Sequence, residues 1–328
     1  MKGNRAGIVI ISPVKDESAY IGRTIRSVLN QTFRPSEWVI VDDGSEDDTA
    51  RLVREMTRGH DWIRLLRKPG RSERAVGPGV VEAFYFGYER IRCRNYEYIC
   101  KMDGDLSFGS TYFEHLLRKF REDPRLGAAS GKLFLFSGDH GPVEERIIDE
   151  SVLGGLFLAR RKCFEDIGGF VREVMWDGIA FHRCRMAGWR TRSFRDHELR
   201  IIHHRMMGSS HRSVFNGRIR WGRGQYFMGT HPLYILASGC YRMAEKPYIL
   251  GGLLIIAGYF LGWIKRHERY DYPGFRESLR TWQLERLKLW KHMGRMGTRP
   301  KTDKEERTIR DGKLLPQATP ERMSIKEI

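Results

Sequence analysis

Residues 7–17 read GIVIISPVKDE, an apolar run that ends in a proline and continues into charged residues. The run at 7–12 has no helical spacing and is short, which predicts a buried β-strand. The charged residues after it predict a loop at the carboxyl end of that strand.

The same order of apolar strand, polar loop and helix recurs through the N-terminal half. Strands are predicted at 38–41, 63–66 and 98–102, and helices at 20–30, from 45 through 53, and at 80–91. Strands that alternate with helices indicate βαβ units around a largely parallel sheet. The fold class is therefore α/β, with ligands expected at the carboxyl ends of the strands. This pattern continues to about residue 194.

The composition narrows the classes of protein to consider. The 328 residues carry 58 Lys and Arg against 41 Asp and Glu, a formal net charge of +17. A hydrophobic fraction of 41% is enough for a core and excludes general disorder. The five cysteines are widely spaced without a C-x-x-C pair, which favours a reducing compartment over a disulfide framework. We see no secretory signal at the N-terminus.

Acidic residues follow three of the predicted strands. They are Glu17 after the first, Asp42 and Asp43 after the second, and Asp103 and Asp105 after the fourth. Carboxylates gathered at one sheet edge are typical ligands of Mg²⁺ or Mn²⁺, which are commonly shared with substrate phosphates. The alternative is that Asp and Gly simply form turns after strands.

These residues lie in stretches that resemble family-2 glycosyltransferases of the GT-A fold. The similar stretches occur in the family's order over residues 7–195. They are SPVKDESAYIGRTIRSVLNQTF (12–33), VIVDDGSEDDT (39–49), KMDGD (101–105), GGLFLARRKCFEDIGGF (154–170) and WDGIAFHRCRMAGWRT (176–191).

The resemblance implies an inverting transfer of a sugar from a nucleotide-diphosphate sugar, with a UDP-sugar favoured. It implies a GT-A-type, Rossmann-like catalytic domain with a mixed, largely parallel sheet over residues 1–212. The donor-binding residues that it implies are Pro13, Val14, Glu17, Asp42, Asp43 and Asp103. It further implies that Asp105 binds Mn²⁺ or Mg²⁺ and that Asp177 is the general base. An aspartate at a helix start is also a common cap.

Three departures from the family pattern change what is expected. Trp176 stands where the family usually has Glu, beside Asp177, and Tyr85 replaces an Asn of a common Ala-x-Asn-x-Gly. Processive members carry Gln-x-x-Arg-Trp, whereas residues 217–221 here read GRIRW. The missing Gln favours the addition of one sugar per encounter.

Further candidates for ligand binding are basic. Relatives have a similar histidine-rich stretch at 201–211, so His204 is the first candidate to complete the metal shell, followed by His203; His211 is a third. The alternative is that His203 and His204 are an ordinary structural or surface pair of histidines. The loop at 67–74, which contains Arg71, is a candidate phosphate clamp because Arg binds phosphate oxygens bidentately. A solvated basic loop is the alternative.

The C-terminal part changes character, and we predict a membrane-associated helical region at 213–293. Residues 248–264 contain no charge, and 17 residues are at the lower limit for crossing a bilayer. Gly258 and Gly262 share a helix face that another helix could approach, which predicts a homo-oligomer. A buried soluble helix is the alternative.

A second helix is predicted at 275–293, with aromatic residues and Leu on one side and Lys and Arg on the other. That pattern is typical of a helix at a membrane interface, with a partner-docking helix as the alternative. Residues 294–328 are polar and predicted to be disordered. Together these features predict a site at the cytoplasmic face of the cell membrane and an acceptor that is a lipid-linked saccharide or polysaccharide precursor.

Other functions are left open by the sequence. A nucleotidyltransferase also combines a nucleotide-binding sheet with acidic metal ligands, and would release pyrophosphate. The net charge alone would suit a nucleic-acid-binding protein, but no recognition motif is present and we expect no nucleic acid partner. A transferase that has lost activity and acts as a scaffold is a third alternative, because of Trp176.

Overall fold

A computed structural model describes residues 7–69, 77–136, 142–145, 147–205, 214–244 and 247–296, excluding the side chains of 289–296. Its centre is a seven-stranded sheet in the order β10-β6-β9-β4-β1-β2-β3. The strands are β1 Ile8–Val14, β2 Glu37–Asp42, β3 Ile63–Arg67, β4 Tyr98–Met102, β6 Leu126–Gly131, β9 Leu156–Arg160 and β10 Arg190–Phe194. β4, β1, β2 and β3 run parallel, and β9 runs antiparallel to both β4 and β6.

Helices cover both faces of this sheet. They are α1 Ile21–Leu29, α2 Thr49–Met56, α3 Pro78–Tyr88, α4 Tyr112–Glu122, α5 Arg161–Asp166 and α6 Trp176–Met186. Successive residues of β1 alternate between the two cores. Ile8 and Ile10 belong to the core that contains α1 and α4, and Val9 and Ile11 to the core that contains α3, α5 and α6. All four are fully buried, as expected for a strand covered on both faces.

The predicted α/β class and the mixed, largely parallel sheet are confirmed. The four predicted strands correspond to β1, β2, β3 and β4, and the helix predicted at 20–30 is α1. The helix predicted at 80–91 begins earlier and ends earlier, as α3 Pro78–Tyr88. Pro78 lies at the first turn, where a missing N–H costs no helical hydrogen bond.

A second, four-stranded sheet in the order β5-β11-β7-β8 borders the carboxyl end of β4. Its strands are β5 Leu106–Phe108, β7 Leu133–Phe136, β8 Pro142–Glu144 and β11 Ile201–His203. β11 pairs antiparallel with β5, so that His203 lies opposite Leu106. This pairing brings the histidine-rich stretch to the Asp103-Gly104-Asp105 turn.

Four further helices complete the structure: α7 Val214–Met228, α8 Pro232–Arg242, α9 Tyr248–Ile264 and α10 Phe275–Met296. α9 has the bounds predicted for the apolar helix. Its glycine face is covered within the same chain, because a Cβ on Gly258 would lie 2.2 Å from the carbonyl oxygen of Ile219 in α7. A Cβ on Gly262 would lie 2.9 Å from the Tyr226 ring of the same helix. The prediction that this glycine face pairs two copies is therefore wrong, since α7 occupies it.

No helix in the described part of the chain is long and apolar enough to cross a membrane. The prediction for the helix at 275–293 also needs correction. Phe275 and Leu279 of its apolar stripe are fully buried against Ile179 of α6 and Met228 of α7. The first half of this stripe is thus a packing surface within the protein and not a membrane face.

The chain divides into two compact units at Leu284. The first unit contains both sheets, the helices through α9 and the start of α10. The domain boundary expected at residue 212 stays a prediction. The second unit begins at Glu285, and its described residues continue α10 to Met296. The remainder of the predicted disordered tail lies outside the described residues.

Candidate active site

The loops after β1 and β2 are joined by hydrogen bonds from backbone to side chain. The N–H of Asp16 donates to Ser45 Oγ at 3.0 Å, and that of Glu17 donates to Thr49 Oγ1 at 2.7 Å. Asp16 has a φ of 51° at this junction, in the left-handed region. The parallel pairing of β1 with β2 brings both loops to the carboxyl edge of the sheet.

The two aspartates after β2 have different environments. Asp42 is fully buried, and its Oδ1 accepts the N–H of Ser45 at 2.8 Å. Its Oδ2 is buried and has no hydrogen-bond partner among the described residues. The Asp43 carboxylate lies 2.7 Å from Lys68 Nζ. Asp42 therefore shapes the loop, and Asp43 is held by a lysine at the loop's edge.

Pro13 and Val14 end β1 beside the Asp103-Gly104-Asp105 turn. The carbonyl of Val14 accepts the N–H of Asp43 at 2.9 Å. A Cβ on Gly104 would lie 2.9 Å from Val14 Cγ1, closer than real Cβ contacts. Glycine is thus required at 104 because β1 packs directly against the acidic turn.

Arg205 connects the first loop to the acidic turn. Its Nη2 lies 2.5 Å from Glu17 Oε2, its Nε lies 3.7 Å from Asp105 Oδ2, and its guanidinium lies 5.1 Å from the Tyr20 ring centre. Glu17 is only 3% exposed. The carboxylate expected to line the nucleotide pocket is therefore ion-paired with an arginine that the sequence reasoning did not select.

Lys101 supports the other side of the acidic turn. It is 3% exposed, and its ammonium donates to Asp103 Oδ1 and, at 2.8 Å, to the carbonyl of Gly154. It also lies 5.1 Å from the Trp176 ring centre. Burial raises the pKa of the Asp103 carboxyl, although the Lys101 charge acts in the opposite direction.

Asp105 is paired with His203. Asp105 is 5% exposed, and its Oδ2 lies 3.2 Å from His203 Nε2. Burial works against ionisation of Asp105, but the hydrogen bond and charge of His203, together with the Arg205 charge, hold the pKa of this carboxyl below its usual value. The same pair raises the pKa of His203 despite its burial.

His204, the first candidate for the metal shell, points away from Asp105. Its Nε2 lies 2.8 Å from Ser107 Oγ and its Nδ1 lies 3.0 Å from an Arg23 guanidinium nitrogen. Burial and the Arg23 charge lower its pKa. The structure therefore brings His203, the second candidate, to Asp105, because side chains alternate along an extended chain.

Asp177 lies in the first turn of α6, against a pair of glycines before β9. A Cβ on Gly154 would lie 2.7 Å from Asp177 Oδ2, and one on Gly155 would lie 3.3 Å from Asp103 Oδ2. The Asp177 carboxylate accepts the N–H of Gly178 at 2.8 Å. Burial raises the pKa of this carboxyl. The glycine pair thus lets two carboxylates approach one stretch of backbone from either side.

The two aromatic departures from the family pattern are packing residues. Trp176 is 7% exposed, with its ring centre 4.6 Å from that of Phe170. The hydroxyl of Tyr85 donates to the carbonyl of Phe170 at 2.8 Å. Both side chains stabilise the segment that leads into α6 and Asp177.

Arg71 of the basic loop and His211 lie outside the described residues. Their roles remain predictions from the sequence.

The acidic turn has features that fit a divalent cation. Asp105 Oδ1 is buried and has no hydrogen-bond partner among the described residues, so a hard oxygen ligand is available there. Within the described ranges, no group of three His, Cys, Asp or Glu side chains is arranged to hold an ion. Mg²⁺ and Mn²⁺ commonly share such a site with substrate phosphates and retain several waters.

Comparisons with known proteins show which sequences and which fold this chain is similar to. Residues 9–134 match the sequence model of the family described as glycosyl transferase family 2. The chain is 23% identical over 242 residues to a poly-beta-1,6-N-acetyl-D-glucosamine synthase from Staphylococcus epidermidis, which covers 66% of this chain and 54% of the relative. It is 27% identical over 126 residues to the synthase of the same name from Staphylococcus aureus strain COL, covering 38% of this chain and 28% of the relative. The chain thus spans about half the length, or less, of these relatives.

A solved structure shares the fold. The mannosyltransferase PcManGT from Pyrobaculum calidifontis, in complex with GDP-Man and Mn²⁺, superposes with a TM-score of 0.50 at 17% identity, over 83% of this chain and 78% of that chain. The family match begins in β1 and ends in β7, and it includes the loops after β1, β2 and β4. Residues 9–134 are thus similar to glycosyl transferase family 2, and the α/β architecture of the chain is a GT-A fold.

Proposed function

We propose that this chain is an inverting, metal-dependent glycosyltransferase. It moves one sugar from a nucleotide-diphosphate sugar to the hydroxyl of a lipid-linked saccharide or polysaccharide precursor at the cytoplasmic face of a membrane. The observation that carries the proposal is the pair of carboxylates on either side of Gly154 and Gly155, with Asp103 on the side of the acidic turn and Asp177 on the other.

The acidic turn and the loops joined to it would hold the donor. Asp103 and Asp105, with His203 beside them, would hold the diphosphate through a divalent ion. Such an ion neutralises the charge that develops on the departing diphosphate. Pro13, Val14, Glu17, Asp42 and Asp43 follow the two adjacent strands β1 and β2, which supports a nucleotide site at this edge. In this proposal Arg205 must exchange partners when the phosphates enter, since its guanidinium contacts Glu17 and Asp105.

Asp177 would act as the general base. It removes the proton of the acceptor hydroxyl, whose oxygen forms a bond to the anomeric carbon. The bond from that carbon to the diphosphate breaks on the opposite face, and the nucleoside diphosphate leaves with the electron pair. A pKa raised by burial suits this role, because a base is most effective when its pKa approaches the working pH.

Three observations support the proposed acceptor, the proposed location and the transfer of a single sugar. The curated relatives are named as synthases of a polysaccharide, poly-beta-1,6-N-acetyl-D-glucosamine. All five cysteines are free, as in proteins of reducing compartments. The absence of Gln from the sequence GRIRW at 217–221 supports transfer of one sugar per encounter.

A donor panel with product identification tests the proposal. The purified chain is incubated with UDP-, GDP- and dTDP-sugars, Mn²⁺ and a lipid extract, and the released nucleotide and phosphate species are separated. Release of a nucleoside diphosphate with label transferred to lipid is expected. Release of pyrophosphate would instead assign a nucleotidyltransferase. The PcManGT complex contains GDP-Man and Mn²⁺, so GDP-mannose belongs in the panel beside the UDP-sugars.

A further inference from the structure

Met175 has a backbone conformation that is rare for a residue with a side chain. Its φ is 67° and its ψ is 23°, in the left-handed region, at the position just before α6. This region is unfavourable for residues other than glycine, because Cβ comes close to the following carbonyl oxygen. Such conformations persist where the surrounding structure holds them, and they cluster at functional sites. Asp177 follows two residues later, so the contacts that hold this turn bear on the position of the candidate base.

The side chain of Met175 contacts two glycines, one in α7 and one in α6. A Cβ on Gly224 of α7 would lie 2.4 Å from Met175 Cγ and 3.1 Å from its Sδ. A Cβ on Gly178 of α6 would lie 3.6 Å from Met175 Cε. The first distance is shorter than real Cβ contacts, so a residue larger than glycine at 224 would strike the methionine. The methionine is thus seated against α7 and the first turn of α6.

Neighbouring residues extend the contact between α7 and the start of α6. The same Cβ on Gly224 would lie 3.3 Å from Val174 Cγ1, and a Cβ on Gly178 would lie 3.4 Å from Sδ of Met228 in α7. Met228 is 3% exposed and belongs to a buried cluster against which Met175 packs. α7 therefore contacts the residues that precede and follow the candidate base in the chain.

The backbone of this turn sets the position of the Asp177 carboxylate. The carboxylate accepts the N–H of Gly178, which fixes it to the backbone at the start of α6. The carbonyl of Met175 accepts the N–H of Ile179 at 2.9 Å, which joins the left-handed residue to the same helical turn. A change of φ at Met175 would therefore rotate the first turn of α6 and move the carboxylate.

We propose that Met175 is a positioning residue for Asp177 and that α7 holds it in place at Gly224. Packing of the methionine side chain on α7 offsets the unfavourable φ, and the turn then keeps the Asp177 carboxylate beside Gly154. The inference rests on the proposed function, because it concerns the residue proposed as the general base. Donor binding should not depend on this turn, since the proposed donor residues follow β1, β2 and β4.

Two substitutions of Met175 separate its backbone conformation from its packing. Met175→Gly and Met175→Val both remove the methionine side chain, but glycine adopts a positive φ readily and a β-branched residue does not. With the best donor of the panel, kcat of Met175→Gly should stay within about threefold of the wild type, because the turn is kept. That of Met175→Val should fall about tenfold to 100-fold, as expected for a shift of the base by about 1 Å. Equal kcat values in the two variants would overturn the inference.

A double variant tests the contact with α7. Gly224→Ala places a Cβ 2.4 Å from Met175 Cγ, and kcat should fall about tenfold. Adding Met175→Gly removes the group that this Cβ strikes, so the double variant should recover to within about threefold of the wild type. Gly239→Ala is the matched control, because its Cβ would lie 2.5 Å from Ile256 Cγ1, between α8 and α9. It should keep the wild-type kcat. A loss that persists in the double variant, or an equal loss in the control, would overturn the inference.

Nucleotide binding and amide exchange distinguish positioning from general damage. The dissociation constants of UDP and GDP with Mn²⁺ should change by no more than about twofold in every variant, because only the step after binding is affected. A parallel loss of binding would overturn the inference. Hydrogen exchange of residues 174–180 should be faster in Gly224→Ala and Met175→Val and should return to the wild-type rate in the double variant. Wild-type exchange in both single variants would contradict a turn held by α7. Exchange needs no donor, so it decides this point even if no sugar is transferred and the proposed function fails.

Discussion

His203 Nε2 lies 3.2 Å from Asp105 Oδ2, and this contact joins a three-residue strand near residue 200 to the acidic turn after β4. It places an imidazole against the carboxylate whose other oxygen has no hydrogen-bond partner among the described residues. The contact therefore favours His203 over His204 as the histidine that would act with Asp105 in the proposed site.

The first prediction concerns the choice between the two adjacent histidines. His203→Ala should weaken Mn²⁺-dependent nucleotide binding about tenfold to 100-fold, the usual cost of removing a group that supports a metal ligand. His204→Ala should change it by about twofold at most, because His204 contacts Ser107 and Arg23. Calorimetric titration of UDP and GDP with and without Mn²⁺ measures both. An equal loss in the two variants would mean that His204 also acts at the site.

The second prediction tests the glycine next to Asp177. Gly154→Ala would bring a Cβ to 2.7 Å from Asp177 Oδ2, so the carboxylate must move. We expect kcat to fall by about tenfold to 100-fold, since displacement of a reacting group by about 1 Å has effects of this size. Gly109→Ala is the control, because no atom lies within 4 Å of its added Cβ. Steady-state kinetics should show little change in that variant, and equal losses in both would contradict the role of Gly154.

The third prediction concerns the buried ammonium of Lys101. Lys101→Met removes the donor to the Gly154 carbonyl and should lower the free energy of unfolding by about 1–3 kcal/mol. It also removes a positive charge that lowers the pKa of Asp103 and Asp177. With a higher pKa, the base is ionised only at higher pH, so the acid limb of the rate profile should move to higher pH.

Lys162→Met is the matched control, because this lysine is 71% exposed and pairs only with Asp166 among the described residues. Denaturant titration and a pH–rate profile compare the two variants. Coincident pH profiles for wild type and Lys101→Met would show that the ammonium does not affect the base.

The fourth prediction concerns stability at acid pH. His182 of α6 is 4% exposed, with its ring near α10, and burial, with the Arg185 charge, lowers its pKa to about 3. The unfolded chain binds a proton near pH 6.5, and the folded chain does not until about pH 3. The free energy of unfolding should therefore fall by up to about 1.4 kcal/mol per pH unit as the pH decreases through this window.

A His182→Phe variant should have a smaller slope between those two pH values. The ring centres of Trp282 and Phe275 lie 5.0 and 6.0 Å from that of His182, so an aromatic replacement keeps these ring contacts and loses only the contact of His182 Nδ1 with Arg185 at 3.2 Å. Urea denaturation at a series of pH values gives the slope. An unchanged slope would assign the acid sensitivity to other groups.

The sequence predicted the parallel part of the sheet well because its strands are buried on both faces. A run such as residues 8–11, apolar throughout and followed by acidic residues, has few alternative structures. The short strands β5 and β11 have three residues each and therefore no measurable periodicity. Their pairing depends on residues about 95 positions apart in the chain, such as Leu106 and His203. The choice of His203 over His204 follows from that pairing and could not be predicted locally.

Only the site residues that belong to sequence motifs of the family were predicted. The acidic residues after β1, β2 and β4 and Asp177 could be selected from the resemblance. Arg205 and Lys101 were missed because isolated basic residues usually lie on the surface, and their burial beside carboxylates depends on tertiary structure. One feature of the sequence could have indicated a role for Lys101, namely its position at the start of the KMDGD motif.

The C-terminal helices show that the spacing of apolar residues predicts a helix but not the surface that the helix packs against. α9 and α10 both have a stripe of apolar residues, and a stripe alone does not indicate which surface covers it. In α10 the stripe of Phe275 and Leu279 packs on α6, whereas α9 packs through its glycines together with Ile255 and Tyr259. Other large side chains of α9, such as Ile249 and Ile264, are exposed. The glycines of α9 allow the close approach of α7.

The central claim is that Asp177 removes the proton of the acceptor hydroxyl while the acidic turn binds the donor. The most direct measurement compares Asp177→Asn with the wild type for donor binding and for transfer of labelled sugar, with Asp105→Ala as the reference for lost binding. We predict that Asp177→Asn binds the donor with Mn²⁺ like the wild type and transfers sugar at least about 100-fold more slowly, since general base catalysis contributes about this much or more. Transfer by Asp177→Asn at close to the wild-type rate would contradict the account.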